Sequence, residues 1–209
     1  VEKVNFIIGI QARSTSKRFP GKVLENIGDK TMLDWCYLAC RNIVQSVYVL
    51  PPCGDDAVIN HCRKQNYLVH LTTATENDVL ARYLSLAEAT AATRICRITA
   101  DCPFIFAPLL GWAATLSQHC DFTTTNWPPL HFPDGWDIEI MSPKLLQWLD
   151  RHSTTEEREH VTAAAYRSPK DMASQKLSVC DIRYPLNLAN IKVSVDTEED
   201  LGRVRDMLP

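Results

Sequence analysis

The 209-residue sequence has no apolar run near the roughly 20 residues that a bilayer span requires. Glu2 and Lys3 lead straight into a strand-like segment, so no signal peptide is expected. Among the eight cysteines there is no Cys-x-x-Cys pair and no zinc-type spacing with histidine. Most sit in apolar segments such as Arg94-Ile-Cys96-Arg-Ile98, where a free thiol behaves as a small hydrophobe. Reduced thiols in that number point to the cytoplasm. Positive charge is not in excess either: 22 Lys and Arg stand against 25 Asp and Glu, for a net charge of −3. That excludes the global basic field that nucleic acid attracts, and a phosphate ligand has to be held by a local cluster of cations. No internal repeat, low-complexity tract or linker interrupts the chain, so residues 1–209 read as one domain.

What the sequence does have is an alternation of strand-like and helix-like stretches. Residues 4–10 (VNFIIGI) form a short apolar, β-branched run of the kind that makes a buried strand. Further strands are expected over 46–50, 67–71, 94–100, 122–125, 138–141, 176–182 and 191–195. Helices are expected over 32–43, 55–65, from Asn77 or Asp78 to about 92, then 107–118, 143–152, 154–166 and 197–208. Strands separated by helices of 10–15 residues indicate βαβ units and a mainly parallel sheet in a three-layer αβα fold. Trp112, Trp136 and Trp148 fall in apolar patterns and read as core. In such a fold ligands bind beyond the carboxyl ends of the strands. The loops to inspect therefore follow Ile10, Leu71, Ala100 and Val195.

The first of these loops runs Gln11-Ala-Arg13-Ser-Thr-Ser16-Lys17-Arg18-Phe-Pro20-Gly21-Lys22. It matches neither G-x-x-x-x-G-K-[ST] nor G-x-G-x-x-G, so it is neither a P-loop nor a dinucleotide fingerprint. Its composition nevertheless suits a polyphosphate. Arginine offers paired donors, lysine a point charge, serine a short donor, and Gly21 a close backbone approach. A solvated basic loop has the same composition. Its position, directly after the first strand of a parallel sheet, favours the ligand.

The string Q-A-R-x-x-S-x-R-x-P-G-K after a first strand resembles the signature of the sugar-acid cytidylyltransferases, which activate 3-deoxy-manno-octulosonate and acylneuraminate. The resemblance continues through Glu76-Asn77-Asp78-Val79-Leu80-Ala81-Arg82-Tyr83, Ile98-Thr-Ala-Asp101-Cys-Pro103, Pro133-Asp-Gly135-Trp-Asp137-Ile-Glu139, Arg158-Glu159-His160-Val161-Thr162 and Val195-Asp196-Thr-Glu-Glu-Asp200-Leu201. Six motifs occur in the family's order and span nearly the whole chain. Gln11 stands where the best-known members carry proline, and Thr-Ala-Asp-Cys-Pro where some show Gly-Asp-Glu-Pro. Both choices look like the spore-coat polysaccharide branch, whose acceptors are diverse.

The resemblance implies a nucleotide-diphosphosugar-transferase-like, Rossmann-like fold and transfer of CMP from CTP to a sugar acid or related small acceptor, with release of pyrophosphate. It places Gln11, Ala12, Arg13, Ser16, Arg18 and Lys22 on the nucleotide, together with Asn77, Asp78, Arg82 and Asp101. Arg13, Lys22, Asp101 and Asp196 are the expected catalytic residues, with Mg²⁺ on Asp101 and Asp196. Asp137, Glu139, Glu159 and His160 are expected at the acceptor, and a homodimer is the expected assembly. Plainer roles stand beside these. Asp196 also reads as the N-cap of the last helix, and Asp101 as a turn residue. Asp78 and Arg82 also read as an i,i+4 pair on a surface helix, and His160 as a structural histidine. Asp137 and Glu139, two apart on a probable strand, are expected to face the same side. Two other functions fit the same motifs: a glycosyltransferase that uses a preformed nucleotide sugar, and a non-catalytic nucleotide-binding module.

Overall fold

The computed structural model describes residues 4–208; Glu2 and Lys3 lie outside it. Its strands are β1 (Phe6–Gln11), β2 (Asn26–Ile27), β3 (Lys30–Thr31), β4 (Val47–Leu50), β5 (Leu68–Val69), β6 (Arg94–Thr99), β7 (Phe122–Thr124), β8 (Glu139–Met141) and β9 (Val179–Asp181). The helices are α1 (Met32–Arg41), α2 (Asp56–Lys64), α3 (Val79–Thr90), α4 (Ala107–Leu116), α5 (Pro143–His152), α6 (Ala163–Arg167), α7 (Pro169–Ser174) and α8 (Glu198–Asp206).

Seven strands form one sheet in the order β5-β4-β1-β6-β8-β7-β9, and β2 and β3 pair separately. Only β8 runs against the rest, antiparallel to both β6 and β7. The mainly parallel αβα expectation therefore holds. Alternation along the strands separates the two faces. Ile8 and Ile10 of β1, with Cys96 and Ile98 of β6, bury against Leu33 of α1, Val58 of α2 and Leu109 of α4. Ile7 and Ile95 point the other way, into a second core with Leu80 and Tyr83 of α3, Leu145 and Trp148 of α5 and Ala164 of α6. Each fully buried Ile or Leu contributes roughly 1.5–3 kcal/mol of hydrophobic stabilisation.

The second face holds the polar exceptions. Arg97 and Thr99 lie on it, and the cross-strand register puts Glu139 directly opposite Arg97. A third cluster joins Phe19 of the first loop to Val195 of the chain's last loop and Leu201 and Val204 of α8. This apolar contact draws the amino-terminal basic loop to Asp196, 178 positions away from Arg18.

Several sequence expectations need correction. The 67–71 strand shortens to Leu68–Val69, and the 176–182 strand to Val179–Asp181. Residues 191–195 form no ladder strand; they reach the sheet region through a single bridge, Asp134 to Lys192. The helix expected over 154–166 is broken. Glu157–His160 is a 3-10 turn, Val161 adopts φ 57° and ψ −63°, and only Ala163–Arg167 is α-helical. Thr162 N donates to His160 O at 2.6 Å, which closes a γ-turn of the rare, strained hand at a buried β-branched residue. Of the three tryptophans, Trp148 is core, Trp136 is half-buried against Phe106, and Trp112 is exposed. No helix among the described residues is long and apolar enough to cross a membrane.

Candidate active site

A cleft of about 840 Å³ opens beyond the carboxyl ends of β1 and β6. The first loop forms one wall. Ser14 holds it in place, its backbone N and Oγ donating to Asp55 at 2.7 and 2.8 Å, while Asp55 also caps α2. Gly21 N donates to Ser14 O, and Gly21, at φ 76°, supplies the left-handed turn that starts the 3-10 turn Lys22–Leu24. That turn aims Lys22 inward.

Lys22 is buried, and its Nζ donates to Asp101 Oδ2 at 2.8 Å, Asp196 Oδ1 at 3.2 Å and Val195 O at 2.7 Å. Arg18, mostly exposed, donates to the same Asp196 oxygen at 2.8 Å. Burial works to raise the Asp196 carboxyl, but the Lys22 and Lys192 ammonium groups outweigh it and hold it below its ordinary value. Asp101 sits just past β6, and Val195 N donates to its carbonyl at 2.9 Å. The basic loop and both aspartates therefore face one another across one opening. Asp196 does not cap α8. Thr197 does, accepting from Asp200 N, while the Asp200 carboxylate returns to Thr197 N. Asp196 is thereby left free to point into the cleft.

The opposite wall comes from the Glu76–Arg82 and Glu157–Thr162 segments. Arg13 Nη1 reaches Glu76 at 3.2 Å and its Nη2 reaches Glu159 at 3.0 Å, so one guanidinium bridges the two segments. Arg82 is buried, donating to the carbonyls of Leu50 and Glu76. Asp78 makes no pair with it. Asp78 caps α3, accepts from Arg158 Nε at 2.8 Å, and does not line the cleft, whereas Asn77 does. The surface i,i+4 pair and the nucleotide contact expected of Asp78 both give way to this clamp.

The floor lies on β6 and β8. Arg97 donates through Nε to Gln11 Oε1 at 2.9 Å and through Nη1 to Glu139 Oε2 at 2.6 Å. Glu139 is buried; its Oε1 accepts from Thr162 Oγ1 at 2.6 Å and Tyr166 OH at 2.7 Å. It does not line the cleft, so a direct acceptor contact is not its place. Asp137 precedes β8 rather than lying on it, and does line the cleft. Burial, together with the charges of Asp134 and Glu139, pushes its carboxyl up to about 6. Gly135, at φ 109°, lets this turn press on the last loop: a Cβ there would meet Ser194 N at 2.7 Å. Val193 N and Ser194 N both donate to Asp134 O.

The cleft brings together Gln11, Ala12, Arg13, Ser16, Arg18, Lys22, Asn77, Arg82, Asp101, Asp137, Glu159, His160 and Asp196. The sequence reading missed Arg97, Glu76 and Asp134. Arg97 stands inside a strand pattern, Arg94-Ile-Cys-Arg97-Ile-Thr99, where an inward arginine breaks the expected apolar filling; that was the available signal.

A walled cleft at strand ends, with cations facing paired carboxylates, is what nucleotide transfer needs. The pattern of the cytidylyltransferases matches residues 7–199. The chain belongs to the cytidylyltransferase family. It is 28% identical to the spore coat polysaccharide biosynthesis protein SpsF of Bacillus subtilis, over 94% of this chain and 83% of that protein. A 3-deoxy-manno-octulosonate cytidylyltransferase of Xanthomonas oryzae is 32% identical over 55% of this chain and 46% of its own. Among solved structures, a cytidylyltransferase from Leptospira borgpetersenii superposes with a TM-score of 0.87 at 27% identity, covering 97% of this chain and 86% of that one. This cytidylyltransferase thus keeps the family's fold along its length.

Proposed function

We propose that the cleft transfers CMP from CTP to a sugar acid or related small acceptor and releases pyrophosphate. The observation that carries the reading is the position of Lys22 Nζ between Asp101 and Asp196, at 2.8 and 3.2 Å, beside Arg18. A triphosphate brings about four negative charges, and its departing pyrophosphate gathers more as the bond to the α-phosphorus breaks. Cations preorganised at that place stabilise the change electrostatically. Arg13, Ser16, Arg18 and Lys22 take the phosphates in this reading, and Gln11, Ala12, Asn77 and Arg82 surround the nucleoside. The acceptor hydroxyl attacks the α-phosphorus in line. Its proton passes to Asp137, whose carboxyl at about 6 is ionised at neutral pH yet basic enough to receive it. Glu159 and His160 stand over the acceptor.

Asp101 and Asp196 fit a divalent ion. Both carboxylates are part-exposed to the cleft and reach one ammonium between them. No group of three or more His, Cys, Asp or Glu gathers around one point among the described residues, and magnesium is commonly held by one or two carboxylates with the phosphates completing its shell. Bound there, Mg²⁺ would neutralise phosphate charge and make the α-phosphorus more electrophilic. A homodimer is part of the same reading, supported by Tyr184, Leu186 and Ile191, apolar and exposed on one stretch of chain. So is a cytoplasmic setting, in which eight unpaired thiols stay reduced.

Pyrophosphate release, measured with each nucleoside triphosphate, Mg²⁺ and a panel of sugar acids, tests the proposal. CTP-dependent release with at least one acid is expected. Turnover with UTP or ATP in place of CTP removes the cytidine assignment, and none with any triphosphate removes the transferase.

A further inference from the structure

In the reading above Arg13, Arg18 and Lys22 take the phosphates, and Lys17 stands exposed on the same loop. Arg13 bridges Glu76 and Glu159, and Lys22 and Arg18 face Asp196. Arg82 is spent on backbone carbonyls. On the β6–β8 floor the ionised groups lining the cleft are acidic, Asp134 and Asp137, with one exception. We infer that this exception, Arg97, receives the carboxylate of the acceptor, and that Glu139 acts behind it as a positioning residue. The inference rests on the sugar-acid reading above and names the group within the site that reads the acid.

Three observations carry it. First, Arg97 is aimed. Cross-strand pairing sets it opposite Glu139, and Gln11 at the end of β1 grips its Nε, so the guanidinium plane is held from two sides. Second, it has capacity left. Of its five N–H donors, Gln11 and Glu139 engage two; one on Nη1 and both on Nη2 have no acceptor among the described residues. A side chain only 14% exposed that nonetheless lines the cleft presents its remaining surface to whatever occupies that cleft. Third, Glu139 cannot compete for the same site. Thr162 and Tyr166 donate to its other oxygen, and Tyr166 OH also meets Thr124 Oγ1 at 2.7 Å, so the carboxylate is engaged on both oxygens and fixed behind the arginine. A guanidinium fork suits a carboxylate geometrically, and a sugar acid entering between Asp134 and Asp137 without it meets repulsion alone.

The test compares the sugar acid that turns over fastest in the panel, 3-deoxy-manno-octulosonate being its first member, with the same sugar carrying a carboxamide in place of the acid. Wild type should prefer the acid. Arg97→Lys keeps the charge but loses the fork, and should raise the acid's KM roughly 10- to 100-fold, the worth of a hydrogen bond to a charged group. The KM for CTP should rise much less than the acid's, since on the nucleotide side only the Gln11 bond to Nε is lost. Arg97→Met with Glu139→Met removes the buried pair together, leaving no orphaned charge, and should bring the acid and the amide close to equal kcat/KM. Thermal unfolding confirms that each variant folds, and Arg97→Lys alone decides the matter should the double variant not. An acid-to-amide preference unchanged in Arg97→Lys, or a CTP KM that rises in step with the acid's, overturns the inference while leaving the transferase reading intact. Absence of turnover with both sugars in wild type brings down the transferase reading and this inference with it.

Discussion

The two sides of the cleft are built on different principles. The proposed phosphate wall is local: four cations within ten residues of a single loop, Lys17 and Arg18 exposed, Arg13 half-buried and Lys22 buried. The β6–β8 floor is assembled from Gln11, Arg97, Thr124, Asp137, Glu139, Thr162 and Tyr166, drawn from across the chain and largely buried. A partly solvated wall of several cations tolerates loss of one contact at a cost in charge stabilisation. A buried pair does not, because removing one partner leaves the other desolvated and unpaired. The difference predicts that damage on the first side shows in turnover, and damage on the second in folding as well as selectivity.

The largest effect is expected at the one buried member of the phosphate wall. Lys22→Ala should lower kcat by on the order of 10²-fold or more, because in the proposed reaction Lys22 faces charge that forms as pyrophosphate departs. Steady-state pyrophosphate release measures it. A loss confined to KM would mean that Lys22 binds ground state and transition state alike. On the floor, Glu139→Ala should cost roughly 3–5 kcal/mol of stability, since it strands the Arg97 guanidinium among buried neighbours. Chemical denaturation reads this directly. A cost below about 1 kcal/mol would show that water reaches Arg97 freely and that the two sides are less different than the geometry says.

Asp137 sharpens the comparison through pH. Its folded-state carboxyl lies at about 6, above the ordinary 3.8, so the native protein binds the proton more tightly than the unfolded chain. Stability from this group is therefore full below about 4 and is lost as pH rises through about 6. The shift corresponds to about 3 kcal/mol at most. Asp137→Asn should accordingly be relatively more stable above pH 6 and converge with wild type toward pH 4. In activity the sign reverses. If Asp137 accepts the proton from the acceptor hydroxyl, kcat should climb as pH rises through about 6, and Asp137→Asn should flatten that limb. A wild-type rate indifferent to pH between 5 and 7 would remove Asp137 from that role.

What could be read from the sequence follows the same division. The alternation of β-branched runs and capped helices disclosed the αβα sheet, because each element carries its period within a few residues. The basic loop was legible for the same reason, and so was Asp101 at a strand end. The floor was not. Arg97 and Glu139 are joined by antiparallel register, and nothing in either strand says which residue will stand opposite which. Glu139 is expected at the acceptor beside Asp137, yet Glu139 opens β8 and is taken up by Arg97, Thr162 and Tyr166, while Asp137 precedes the strand and lines the cleft. The broken 154–166 helix was hidden for another reason. Val161 carries no local signal for a left-handed backbone, and only the packing of Thr162 against Glu139 and of His160 over the cleft requires the turn.

Asp196 was ambiguous for a physical reason, since an aspartate before Thr-Glu-Glu-Asp serves equally as a cap or as a ligand. The structure divides the two tasks between neighbours, and the smallest predicted effect tests that division. Thr197→Ala removes the side-chain oxygen that accepts from Asp200 N, and should cost about 1 kcal/mol of stability. Turnover at saturating substrate should stay near wild type, because Thr197 does not line the cleft. Asp196→Asn should do the opposite: the cap of α8 remains, and kcat falls because the carboxylate charge between Lys22 and Arg18 is gone. Thermal melts and pyrophosphate release on the two variants give a crossed pattern, with stability lost in one and rate in the other. Were both variants to lose rate and stability together, Asp196 and the start of α8 would be acting as one unit, and the local construction of the phosphate wall would extend to a helix terminus.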